Sequence, residues 1–193
     1  MVQSWSDYLR ASLEKPLHPI WKEIDPHLQA GQSAIDLGCG AGGNTLHLLE
    51  RGLRVVAVDA DAEAVEITKG RLPENAAAHV VQSRFQELGL DVESVDLVIA
   101  FFSLFFLTPS EFGPVWQRIL SALRPGGILA GQLLGINDDW ASKGCTVHTR
   151  SEVESLLHPF ETLYLEEADQ DGETLLREPK HWHAFHVVAR KLG

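Results

Sequence analysis

The sequence predicts an α/β fold: a mostly parallel seven-stranded sheet with helices on both faces, ending in an antiparallel hairpin. Three observations predict it. From Ser33 onward, short apolar or β-branched runs alternate with helical patterns, the rhythm of βαβ units. A glycine-rich stretch, Gly38 to Gly43, follows the first of these runs and opens the first helical one. The last quarter of the chain then drops the alternation. Two strand-like runs follow each other with Asp171-Gly172 in the segment between, and strands joined without a helix pair antiparallel.

Taken in order, Ser4–Glu14 and Pro19–Ala30 read as two helices, a cap over residues 1–31 ahead of the first strand. Ala34–Leu37, Arg54–Asp59, Ala77–Gln82, Val95–Ala100 and Ile128–Leu134 are apolar enough to be strands buried on both faces. Between them, Asn44–Arg51 carries Leu46 and Leu49 on one helical face, and Ala62–Leu72 carries Val65 and Leu72. Pro109–Leu123 sets Phe112, Val115, Trp116, Ile119 and Leu123 on one stripe. Thr108-Pro109-Ser110-Glu111 is a capping box with proline at the first helical position, and Arg124-Pro125-Gly126-Gly127 ends that helix. Thr149 to Glu152 is a second capping box, opening a short helix to about Leu157. Glu161–Glu167 and His181–Lys191 are the hairpin strands. No repeat, low-complexity tract or linker divides residues 1–193, so one domain is expected.

Charge narrows the partners. Lysine and arginine number 16 against 27 aspartates and glutamates, a net charge of −11. Nucleic acid and anionic membrane surfaces both call for basic patches, so a free small molecule is the expected partner. Cys39 and Cys145 form no C-x-x-C pair and read as reduced thiols. Met1 to Arg10 lacks the apolar core of a signal peptide. The apolar stretch Leu97–Leu107 is interrupted by Ser103 and falls short of the ~20 residues that span a bilayer. A soluble, cytoplasmic monomer or homodimer is expected. His181-x-His183 puts two imidazoles on one strand face, but no third ligand follows at recognisable spacing, so no metal site is expected.

The glycine loop carries the chemistry. Gly38, Gly40 and Gly43 satisfy G-x-G-x-x-G, and Asp59 ends the second strand, suited to accept hydrogen bonds from two ribose hydroxyls. Strand, glycine turn, helix, strand and acid together point to a nucleoside-bearing cofactor. Charge then selects which. A dinucleotide brings a pyrophosphate to the helix N-terminus, where the Asp36 carboxylate would oppose it. S-adenosylmethionine brings a sulfonium and an ammonium, for which that carboxylate is useful.

Asp36-Leu37-Gly38-Cys39-Gly40-Ala41-Gly42 closely resembles motif I of the class I S-adenosylmethionine-dependent methyltransferases, and Val58-Asp59-Ala60 resembles their motif II. Gln82 to Phe85 lies where their third motif packs beside the adenine. Ser94 to Ala100 and Leu123 to Gly127 look like their fourth-strand and late-turn motifs. The Asp-Leu-Gly-Cys-Gly loop and the late His-Trp-His strand are similar to the small bacterial tellurite-resistance and thiopurine-type members. The resemblance implies a Rossmann-like sheet of order 3-2-1-4-5-7-6. It also implies S-adenosylmethionine as cofactor. Asp36 and the backbone of Gly38, Gly40 and Gly42 would hold the methionine end, Asp59 the ribose, and Arg84 and Phe85 the adenine border. Cys39, Asn44, Ala60, Ser83, Ala100 and Phe101 complete the implied site. Two departures stand out: Ser83 replaces an aspartate common at that position, and Phe101-Phe102-Ser103-Leu104-Phe105 replaces the Asn/Asp-Pro-Pro-Tyr/Phe signature of many amide and nucleobase methylators.

Methyl transfer from a sulfonium is an in-line displacement that mainly needs positioning and dryness. A thiol, metalloid oxyanion or carboxylate acceptor needs no general base once ionised, so no catalytic dyad is expected. Tyr8, His18, Phe105 and Trp140 are the acceptor-side candidates, with His148 near Trp140, and Lys15 or Arg84 available for a carboxylate. The N-terminal helices would act as a lid. Two other readings stand beside this one: an NAD-type oxidoreductase, and a non-catalytic nucleoside-binding module.

Overall fold

A computed structural model describes residues 4–193. Strands β1 (Ser33–Leu37), β2 (Arg54–Asp59), β3 (Ala78–Gln82), β4 (Val95–Ala100) and β5 (Leu123–Gly135) run parallel in the order β3-β2-β1-β4-β5. Beyond β5 lies β8 (Pro179–Lys191), antiparallel to it, and then β7 (Phe160–Glu173), antiparallel to β8. The expected order is thus the observed one, with a single addition. A two-residue strand, β6 (Val147–His148), pairs with Leu134 and Gly135 of β5 and makes the sheet eight-stranded rather than seven. Two residues are too short to leave a periodic signal. β5 also begins at Leu123 rather than Ile128, because Val95 pairs with Leu123 before an irregularity lets Leu97 pair with Ile128.

Alternate residues of β4 serve the two faces of the sheet. Val98 packs with Val115, Trp116 and Ile119 of α5 (Pro109–Ala122), whereas Leu97 and Ile99 pack with Trp21, Ile24 and Leu48 on the other side. Both faces are therefore covered, which is why these strands read as continuous apolar runs. Helices α3 (Gly43–Glu50), α4 (Ala62–Arg71) and α6 (Arg150–Leu156) complete the layers, and the capping boxes at Thr108 and Thr149 form as the sequence predicts.

Ahead of β1, α1 (Trp5–Ser12) opens on a further capping box between Ser4 and Asp7. The second predicted helix is shorter than Pro19–Ala30. α2 spans Trp21–Ile24, tightens to a 3-10 turn over Asp25–His27, and becomes extended at Leu28. Pro26 lacks the N–H that would continue an α-helix. The indole of Trp21 donates to Asn44 Oδ1 (3.1 Å), and Asp25 binds both His47 and Arg51 of the α3 region. Ser6 reaches Glu63 of α4 at 2.7 Å. The two N-terminal helices are in this way tied over the carboxyl ends of the strands, where sheet order reverses between β1 and β4. Open α/β sheets form their clefts there. No helix among the described residues is long and apolar enough to cross a membrane.

Candidate active site

The turn after β1 is built for close approach. Gly38 has φ +80°, and a Cβ there would collide with Ser103 Cβ. Gly42 has φ +79°, and a Cβ there would stand 2.9 Å from Thr68 Oγ1. Both conformations are costly for any residue with a side chain. The N–H groups of Gly38 and Cys39 donate to the Val58 carbonyl, and Thr68 donates to the Gly40 carbonyl, fixing the turn to β2 and α4. Asp59 accepts from the N–H of Gly40 (2.9 Å) through Oδ2 and from that of Asp61 (3.0 Å) through Oδ1. Each oxygen keeps a lone pair for a further donor. Burial raises the Asp59 carboxyl above its usual range, opposed by those N–H groups. Burial likewise pushes the Cys39 thiol up, away from the thiolate a nucleophile needs.

A cavity of about 250 Å³ opens at this point. Of the residues the sequence singled out, Gly38, Cys39, Gly40, Asn44, Asp59, Ala60, Phe85 and Phe101 line it, together with Tyr8 and His18 from the N-terminal region. Six others do not. Asp36 is completely buried: its Oδ2 accepts from the Thr45 hydroxyl at 2.6 Å, and its Oδ1 has no partner among the described residues. Burial lifts its pKa to about 7, partly offset by the Thr45 bond. Gly42 caps α3 and packs toward Thr68, and Ala100 lies inside the sheet against Gly131. The Ser83 hydroxyl donates to the Arg84 carbonyl, and the Arg84 guanidinium extends toward Glu111 at 3.8 Å. Phe105 is a core residue, 1% exposed, packed on Phe106 and Trp140.

A second cavity, about 800 Å³, adjoins the first and shares Trp5, Tyr8, Lys15, Phe102 and Phe106 with it. Trp140 is found here, with Trp182 and His186 of β8. His148 lines neither cavity and packs against Phe112. At the junction, His18 stacks on His186 with ring centroids 5.0 Å apart. Burial, with His186 and Lys15 nearby, pushes His18 down to about 4, and burial lowers His186 as well. Both imidazoles are neutral at neutral pH. Phe102 has φ +53°, a strained conformation for an aromatic residue, held by its N–H donating to Gln132 Oε1 at 3.1 Å. Ser103 donates to the Leu37 carbonyl at 2.6 Å and so joins the ends of β4 and β1. Gln132 Nε2 and His186 Nδ1, on residues paired in register across β5 and β8, are buried without partners among the described residues. Sequence reasoning passed over Gln132 and Ser103. A lone glutamine inside the apolar Ile128–Leu134 run was the available signal for the first.

A family of methyltransferase domains matches residues 34–127. An uncharacterized methyltransferase of Mycobacterium tuberculosis is 37% identical over 100 residues, which is 52% of this chain and 39% of that protein. The chain thus spans less than half the length of that curated relative. Among solved structures, a SAM-dependent methyltransferase of Methanosarcina mazei has a TM-score of 0.72 at 22% identity, covering 92% of this chain and 99% of its own. TehB of Haemophilus influenzae has a TM-score of 0.77 at 14% identity, covering 96% and 66% respectively. At such identities the likeness is one of fold.

Proposed function

We propose that this chain, whose residues 34–127 match a family of methyltransferase domains, belongs to the class I S-adenosylmethionine-dependent superfamily and moves a methyl group from S-adenosylmethionine to a small organic acceptor. One observation carries the reading: behind the cavity lining, the fully buried carboxyl of Asp36 keeps an oxygen with no partner among the described residues, two positions before Gly38, where a Cβ would collide with Ser103. A buried carboxylate without a partner is costly, and a cation offsets that cost. The methionine end of S-adenosylmethionine supplies an ammonium. A pyrophosphate would do the reverse, which disfavours the NAD reading. Asp59 has the lone pairs to accept both ribose hydroxyls, while Ala60 and Phe85 border the base.

The bound sulfonium supplies an activated methyl, so the residues of this chain have only to bind, orient and keep water out. Phe101, Phe102 and the α1 face carrying Tyr8 close the cavity against solvent. Neutral His18 and His186 add no positive charge beside a cationic donor. The second cavity, which shares lining residues with the first, receives the acceptor. A net charge of −11 supports a freely diffusing substrate rather than nucleic acid.

Incubation with methyl-labelled S-adenosylmethionine and a panel of thiols, carboxylates, phenols and metalloid oxyanions tests the proposal. Label should appear on at least one organic acceptor. Tight cofactor binding with no transfer to any member would favour a non-catalytic nucleoside-binding module instead.

A further inference from the structure

We propose that the 800 Å³ cavity is the acceptor subsite and takes a planar aromatic anion, its ring lying against Trp140, Trp182 and Phe106 and its charged group toward Lys15. This rests on the methyl-donor reading of the adjoining cavity.

The walls specify the ring. Trp140 and Trp182 meet at 5.4 Å and 60°, Phe106 and Trp140 at 5.7 Å and 34°, and Phe102 and Trp182 at 5.8 Å edge-on. Tilted aromatic surfaces of this kind favour a flat π-system over a saturated one of equal size. Their positions are also fixed from behind. The Lys180 ammonium lies 3.8 Å from the Trp182 ring centroid and 4.7 Å from that of Trp140. Asp138 holds it there through a buried ion pair of 2.5 Å. Asp138 also accepts from the N–H groups of Trp140 and His183, so one carboxylate braces the whole wall. A volume of 800 Å³ suits a ring-bearing organic molecule and far exceeds what an inorganic oxyanion fills.

The charges specify the anion. Lys15 lines both cavities, at the boundary where methyl transfer must occur, with its ammonium 5.3 Å from the Phe102 ring centroid. Lys143 lies over Trp140 at 5.6 Å. Neither forms an ion pair among the described residues. The acids of the opposite wall are mostly engaged: Asp171 with His181 at 2.7 Å, and Glu173 with Arg177 at 3.1 Å. Glu178 lies on the hairpin segment, which lines the second cavity alone. Burial lowers the Lys15 pKa, and an anion beside the ammonium offsets that desolvation. With the acceptor's charge at Lys15, the charged atom is the nucleophile. A carboxylate or phenolate oxygen, or a thiolate sulfur, donates its pair to the methyl carbon, and the methyl–sulfur bond breaks with its pair left on sulfur. Anion and sulfonium become a neutral methylated acceptor and a neutral thioether centre, and no proton moves.

The test uses the full chain saturated with S-adenosylhomocysteine and titrated by calorimetry with three probes. These are naphthalene-2-carboxylate, its decahydro counterpart and 2-naphthylmethylamine. The aromatic acid should bind at least about tenfold tighter than either other probe. Trp182→Leu should lose about tenfold of that affinity while still binding S-adenosylhomocysteine, which shows that it folds. Lys15→Met should erase the preference for acid over amine. Equal affinities for the three probes, or unchanged affinity in both variants, overturns the subsite alone. Failure of the wild type to bind S-adenosylhomocysteine overturns the methyl-donor reading, and the subsite with it.

Discussion

Asp36 holds a carboxyl at 0% exposure, and burial raises its pKa from the ordinary 3.8 to about 7. A group whose folded pKa is raised favours the folded state at low pH and loses that contribution as pH rises through the folded value. The window here runs from about 4 to about 7. Asp36→Asn should therefore stabilise the cofactor-free protein at pH 8, by up to about 4 kcal/mol, with the gain shrinking toward pH 4; urea unfolding at both pH values measures it. The same variant should lose most of its affinity for S-adenosylmethionine, whose ammonium then has no negative charge behind the cavity wall to offset it. Gly38→Ala should act oppositely on stability, since a positive φ and a collision with Ser103 coincide, and a loss of more than about 2 kcal/mol is expected in the same assay. Asp36, Gly38 and Asp59 were legible in the sequence because their spacing relative to the first two strands fixes their place. Phe102 and Gln132 were not: the left-handed backbone of one and the orphaned amide of the other arise only once β4 and β5 are paired.

Among the elements, α1 carries one buried side chain, Leu9, and its described side-chain bond to the rest of the fold is the exposed Ser6–Glu63 contact. Such a segment opens readily. Its face bears Tyr8 over the cavity, so its amides should exchange markedly more slowly with deuterium once the cofactor is bound; unchanged exchange would deny α1 a closing role. The β5–β8 pair is the opposite kind of element. Its end is braced by the Asp138–Lys180 pair, 0% and 2% exposed at the side chains. Lys180→Met leaves Asp138 buried and uncompensated and should cost roughly 3–5 kcal/mol, read from urea unfolding and from tryptophan emission. Helices with capping boxes were predicted to within a residue or two at their starts, because those signals are local. α2 came out short at Pro26, and β6 is too brief to carry a period. The hairpin runs on to Glu173 and resumes at Pro179, through polar residues whose pairing is set by the partner strand rather than by their own propensity.

At the scale of the molecule, the sheet order was readable because buried parallel strands, a glycine turn and a helix-free ending each constrain topology. The position of the first cavity was readable with it, since β1, β2 and β4 deliver their carboxyl ends to one place. The second cavity was not. Its walls come from α1, the segment after β4, the turn after β5 and the β7–β8 hairpin, and only folding joins them. The central claim is that the cavity at the switch point holds S-adenosylmethionine, and calorimetric titration of the full chain with S-adenosylmethionine and with NAD, on wild type and Asp59→Ala, tests it most directly. One S-adenosylmethionine should bind per chain, NAD should not, and Asp59→Ala should weaken the binding at least about tenfold. Binding of NAD without S-adenosylmethionine, or an unchanged affinity in Asp59→Ala, would contradict the account.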